Sequence, residues 1–225
     1  MTTAHVVDLT QPMDGAIPMC SGLPGMELST VIDRKQSREL YSGNTEFLIQ
    51  RYAMTGNTGT CIDAPYLRYA DGRDLAHVSL MTTVAVPAVR IDARDATTSG
   101  RRTIDESYLN GTDIRGRAVL FWTGWDEYWS QPDRYLEPAP FICAELAARL
   151  VEEGASLVGI DTSNVDDIED AARPAHSILL RSGISIVENL RGLSQLDTDE
   201  YLFHAAPLPI RRGTAVPVRA YAVTG

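Results

Sequence analysis

Two apolar runs and the stretch between them do most to limit what this chain can become. Ala118-Val119-Leu120-Phe121-Trp122-Thr123 is almost continuously apolar and stops at Gly124. A run of that kind fits a strand buried on both faces. Ala139 to Glu153 then places Ile142, Leu146, Arg149 and Leu150 on one helical stripe, with Gly154 as a C-terminal stop. Ser156-Leu157-Val158-Gly159-Ile160-Asp161 follows as a second strand and breaks into the polar loop Thr162 to Arg173. Helix and strand joined across one glycine predict an α/β layer, with the strand's carboxyl end presenting Asp161 and Ser163.

The remaining segments read mainly as strands. His5 to Leu9 is a short one that ends in the breaker-rich loop Thr10 to Gly25, and Phe47 to Met54 alternates loosely. Leu75 to Ala93 is expected to be strand-rich, with Pro87 placing its clearest piece, Val84 to Ile91, at an edge or an interruption. Ile104 to Leu109 reads as a short helix capped by Thr103 and Glu106. Ile184 to Glu188 is a strand, and Pro207 to Ile210 and Ala215 to Ala220 read as two final strands joined at Gly213. Strands outnumber helices, which fall mainly in the second half. We expect one mixed α/β domain over residues 1–225, because 225 residues suffice for a single complete core.

The charge balance narrows the partners. Formal charge is −10, and the basic residues are scattered, so neither nucleic acid nor an anionic membrane is expected to bind. The three cysteines, Cys20, Cys61 and Cys143, show no metal or redox spacing and point to a reduced compartment. With no basic and apolar leader and no apolar run of about 18 residues, the expectation is a cytoplasmic protein.

Chemistry concentrates in Asn57-Thr58-Gly59-Thr60-Cys61-Ile62-Asp63-Ala64-Pro65-Tyr66-Leu67. An extended Cys61-Ile62-Asp63 sends the thiol and the carboxylate to one face and Ile62 to the other. Taken singly, each residue has an ordinary explanation. Asp63 would cap a turn before Pro65, Cys61 would be a small buried hydrophobe, and His176 would be a satisfied structural histidine. His5, His77 and His204 have no motif around them and are expected to be surface or structural.

The stretch resembles the signature His-x-Gly-Thr-His-x-Asp-x-Pro-x-His of the cyclase family that includes bacterial kynurenine formamidases and isatin hydrolases. Here the glycine, threonine, aspartate and proline stand in place, and all three histidines are replaced. The resemblance continues in order through Asp8-Leu9, Thr123-Gly124-Trp125, Gly159-Ile160-Asp161-Thr162, His176 with Leu179-Leu180, Ile186-Val187-Glu188-Asn189-Leu190 and the closing Pro207-Leu208 with Pro217-Val218-Arg219. It implies a swivelling β/β/α domain, assembled as a homodimer or homotetramer, acting on a small-molecule substrate.

By that resemblance, Asn57 and Cys61 stand where two metal-binding histidines would be, and Leu67 stands at the acid/base histidine. Asp63, His176 and Glu188 match the positions that keep their chemistry and are the expected catalytic residues. Asn57, Cys61, Leu67, Trp125 and Met19 of the Thr10 to Gly25 loop are the expected substrate-binding residues. Asn57 is a weak zinc ligand and Leu67 moves no proton, so the lost histidines favour a site with no cofactor. It would promote ring closure, elimination or rearrangement of a small carbonyl compound, polyketide-like or another secondary metabolite, by acid/base chemistry. The alternatives are an amide or lactone hydrolase with one zinc or manganese ion on Cys61, Asp63, His176 and Glu188, and a non-catalytic relative that binds a ligand.

Overall fold

The computed structural model describes residues 4–13, 23–196 and 201–225. In chain order the strands are β1 (His5–Asp8), β2 (Glu27–Ile32), β3 (Ile49–Ala53), β4 (Cys61–Asp63), β5 (Val86–Asp92), β6 (Thr103–Ile104), β7 (Ala118–Trp122), β8 (Phe141–Ile142), β9 (Leu157–Ile160), β10 (Ser185–Glu188), β11 (Tyr201–His204), β12 (Ala215–Pro217) and β13 (Tyr221–Thr224). The helices are α1 (Arg34–Leu40), α2 (Arg94–Thr98), α3 (Pro132–Tyr135), α4 (Ala144–Glu152) and α5 (Pro174–Arg181). None is long and apolar enough to cross a membrane.

Nine strands form one mixed sheet in the order β1-β13-β11-β5-β7-β9-β10-β4-β12. Its centre, β5-β7-β9-β10, is parallel, and the flanking pairs are antiparallel. The side-chain alternation of a strand explains why β7 is apolar throughout. Val119 and Phe121 face a core made with Leu146 and Leu150 of α4 and Leu179 of α5. Ala118 and Leu120 face the other way, into a core to which all nine strands contribute, including Val7, Ile62, Leu157, Val187, Phe203, Val216 and Ala222. The sheet is therefore curled around one apolar interior, with the helices outside it. This mixed α/β arrangement is the swivelling β/β/α fold expected from the sequence.

One glycine is fixed by this packing. A Cβ on Gly159 would lie 2.6 Å from Leu120 Cδ2 and 2.8 Å from Leu190 Cδ1. Gly159→Ala should therefore lower stability by about 2 kcal/mol through overpacking. Urea unfolding reads this directly, and a midpoint equal to that of the parent protein would contradict it.

Several expected elements differ from those observed. The helix expected from Ala139 begins only at Ala144, capped by Cys143. Pro138 and Pro140 favour extended backbone just before it, and Phe141–Ile142 pairs with β6 instead. Leu75–His77 and Leu80–Thr82 are single 3₁₀ turns rather than strand. β5 lies inside the sheet despite Pro87, because its pairing with β7 starts at Ala88 and leaves the proline beyond the parallel ladder. Ile104 closes β6 and Asp105 caps the turn after it, so Thr103 is not a cap. Residues 207–210 are irregular; the late strands are β11, β12 and β13.

Candidate active site

The short strand β4 lies between β10 and β12, with Cys61 opposite Glu188 and Asp63 opposite Ile186. Paired residues share a face, so Cys61, Asp63 and Glu188 all point to the side covered by α5. Proline at the first turn of α5 leaves the next inward positions to Ala175 and His176, while Leu179 and Leu180 anchor the helix one turn later. The result is a convergence of three side chains from three elements. His176 Nε2 lies 3.3 Å from Asp63 Oδ2 and 3.5 Å from Glu188 Oε1. All three residues are buried, and one ligand atom from each lies within 4.8 Å of the others.

Neighbours fix each member. Asp166 Oδ2 is 2.6 Å from His176 Nδ1, and the two Asp166 oxygens also accept from the backbone N–H groups of Ala175 and His176. This orients the ring so that Nε2 faces the carboxylates. Glu188 Oε1 accepts from the Val165 N–H at 2.8 Å. Asn57 Nδ2 donates to Asp63 Oδ1 at 3.2 Å. Asp63 Oδ2, however, is buried and makes no aligned hydrogen bond among the described residues.

The electrostatics follow from this crowding. Burial pushes the Glu188 carboxyl well above its ordinary value, and the Asp63 charge adds to that. Burial opposes charge on His176, but the hydrogen bond to Asp166 and the carboxylates of Asp63 and Glu188 outweigh it and raise its pKa. Burial would raise Asp166 too, yet its bonds to His176 hold it low.

A buried polar net surrounds this centre. Thr60 Oγ1 donates to the Asn189 carbonyl at 2.6 Å and accepts from the Gln11 N–H at 2.9 Å. Asn189, with φ of 57°, gives its amide N–H to the Gly59 carbonyl and accepts from the Tyr135 hydroxyl. Asp161 closes the end of β9 by accepting from the backbone and hydroxyl of Thr123 and from the Gly124 N–H. Burial and the Asp126 charge nonetheless push its carboxyl up to about 7.

A cavity of about 300 Å³ opens over the triad, with Asn57, Leu67, His176 and Glu188 in its wall. Leu23 and Leu136 supply apolar wall, and Ser163 and Asn164 supply polar groups. Trp125 is not part of it. Its indole N–H donates to the Tyr135 carbonyl, and its ring packs on Tyr128. Cys61 is fully buried beside this region, but its sulfur is not among the converging ligand atoms. Met19 lies outside the described residues. Asp166 and Tyr135 were not singled out in the sequence. Asp166 sits in a polar loop rich in acidic residues, and only its place ahead of Pro174 and His176 could have marked it.

The donor set suits a divalent ion. Two carboxylates and an imidazole, the latter backed by Asp166, are acceptable ligands for zinc or manganese. The buried Asp63 Oδ2, which faces His176 Nε2 at 3.3 Å without an aligned hydrogen bond, is an acceptor that a cation would satisfy. The set is Asp63, His176 and Glu188, without Cys61.

Comparison with known proteins agrees with this architecture. The Cyclase family model matches residues 7–167. A kynurenine formamidase of Bacillus cytotoxicus is 28% identical over 220 residues, 98% of each chain. Isatin hydrolase A from Ralstonia solanacearum superimposes with a TM-score of 0.84 at 23% identity, covering 99% of this chain and 92% of that one. A structure described as a potential metal-dependent hydrolase with cyclase activity gives 0.78 at 24% identity, covering 98% of both chains. The expectation of a site with no cofactor is corrected by these findings. That neighbour is described as a potential metal-dependent hydrolase, and the described residues of this chain supply a three-donor cluster where the lost histidines had suggested none. By the resemblance, Asn57 and Cys61 stand where two ligands would be and Leu67 where the acid/base group would be, while Asp63, His176 and Glu188 keep their donor atoms. By the match over most of its length, the chain belongs to the cyclase family and is an enzyme of it, similar to relatives that are hydrolases.

Proposed function

We propose that this enzyme is a metal-dependent hydrolase that cleaves an amide or lactone bond in a small carbonyl compound, with formamides and ring amides as the first classes to try. The observation that carries this is the meeting of Asp63 Oδ2, His176 Nε2 and Glu188 Oε1 at one point, with Oδ2 otherwise unbonded. The relatives named as a kynurenine formamidase and an isatin hydrolase support the choice of bond.

Asp63, His176 and Glu188 would hold the ion. Such an ion, when bound, polarises a carbonyl and lowers the pKa of water to about 7. The chain supplies the rest. Asp166 keeps the His176 proton on Nδ1 and so leaves Nε2 free as a ligand. Leu67 and Leu136 exclude water around the scissile bond. Leu67, at the place of the acid/base group in the resemblance, cannot transfer a proton. Self-association into a homodimer or homotetramer is supported by the apolar side chains that β2 and β3 leave exposed, notably Leu28 and Tyr52 paired on one face. A cytoplasmic setting is consistent with the thiol of Cys143.

Manganese- or zinc-loaded protein should release formate from formanilide. Removing the ion with a chelator should lower the rate at least about 100-fold, and adding it back should restore the rate. Full turnover with less than about a tenth of an ion per chain would overturn the proposal.

A further inference from the structure

The cavity over the triad has two arginines in its wall, Arg68 and Arg173. Every hydrogen bond that the described structure gives them goes to a neutral acceptor. Arg68 donates from Nε to Ser177 Oγ at 3.2 Å and from Nη2 to the Ala172 carbonyl at 2.9 Å. Arg173 donates to the carbonyls of Asp167 and Ile168 and, at 3.4 Å, to Asn164 Oδ1. Among the described residues neither makes an ion pair, in a chain where acidic residues outnumber basic ones by 30 to 20. A guanidinium bonded only to neutral groups keeps its full charge for a ligand.

The two groups sit on the same rim, because Arg68 is tied to the carbonyl of the residue directly before Arg173. Arg173 is also held in the left-handed region, with φ of 49° and ψ of 58°, at the N-cap of α5. An arginine is rare there, and a glycine would relieve the strain. The strained backbone turns this side chain back over the Asn164 to Ile168 segment, at the mouth of the cavity.

Charge balance then selects the ligand. Asp63 and Glu188 together match one divalent ion, and His176 is matched by Asp166. Arg68 and Arg173 remain as uncompensated positive charge. Resting on the hydrolase reading above, we propose that the substrate carries an anionic group, a carboxylate, beyond its scissile bond, and that Arg68 and Arg173 receive it.

Equilibrium titration of manganese-loaded protein with ortho-, meta- and para-aminobenzoate against aniline tests this without turnover. At least one isomer should bind about tenfold more tightly than aniline. In Arg68→Met the preference should fall below about threefold, with Arg68→Lys and Arg173→Lys between the two. The proposal is overturned if no isomer is preferred over aniline, or if the preference survives both Arg68→Met and Arg173→Lys, since the carboxylate would then be bound by the ion. Formate release from formanilide and the formamidobenzoates is scored separately. An arginine-dependent preference with no hydrolysis of any of them removes the hydrolase reading and leaves the anion site standing. Hydrolysis without the preference does the reverse.

Discussion

Asp63→Asn should lower hydrolytic turnover by about 10³-fold and leave purified protein with little bound ion. The substitution keeps the size of the side chain and its contact with Asn57, but it replaces the Oδ2 that faces His176 with a neutral group. Losing one of two charged donors at a buried cation removes roughly 4 kcal/mol of interaction, which corresponds to that rate factor if the ion is needed for chemistry. Elemental analysis and formate release on the same sample separate a binding defect from a chemical one. A variant that retains a full ion and more than about a tenth of the parent rate would show that Asp63 is not a ligand.

Stripped of metal, the protein should lose thermal stability steadily as pH rises from about 5 to about 9, and divalent ion should restore more of it at the alkaline end. The sign follows from the direction of two shifts. Glu188 is raised above 4.5, so above that pH the folded chain holds a proton that the unfolded chain releases, and each further pH unit favours unfolding. His176 is raised above 6.5, so its contribution is fully present below that value and is lost as pH climbs through the raised pKa. The two contributions run in the same direction. At about 1,000 times its dissociation constant an ion adds about 4 kcal/mol, or about 10 °C in a chain of this size. Melting curves with and without chelator at several pH values measure both effects. A stripped protein that becomes more stable toward pH 9, or an ion that adds less than about 2 °C, would count against the site.

The sequence made the scaffold readable where periodicity was strong and both partners were close. The runs that became β7 and β9 were visible because strands buried on two faces carry few polar residues, and β10 was visible by its alternation. The start of α4 was not, because Pro138 and Pro140 were outweighed by the apolar stripe that follows them. β11 was passed over although Tyr201 and Phe203 alternate with exposed neighbours. In the site, Asp63, His176 and Glu188 were singled out by motif, and the structure brings them together. Three missing histidines point away from a metal, whereas the remaining donors, far apart in sequence, form a cluster only in the folded chain. Trp125 was expected in the cavity wall from its place after a strand end. The left-handed turn at Gly124 instead sends it into a separate aromatic cluster, where it supports Tyr135. Arg68 and Arg173 carried no sequence signal, because their importance lies in the absence of a carboxylate partner.

The Thr60 hydroxyl, bonded to the Asn189 carbonyl across 129 residues of chain, bears on how the enzyme is born. The halves of the site come from β4, early in the chain, and from α5 and β10, near its end, so no local fragment holds the ligands together. Pairings of such long sequence separation form slowly, after the loop between them has been closed. A ribosome-bound chain ending before β10 would have Asp63 without Glu188 and no ready place for an ion. On the hydrolase reading, an ion would therefore be taken up only after β10 has left the ribosome. Refolding with the ion present from the start should reach the native state no faster than refolding followed by its addition.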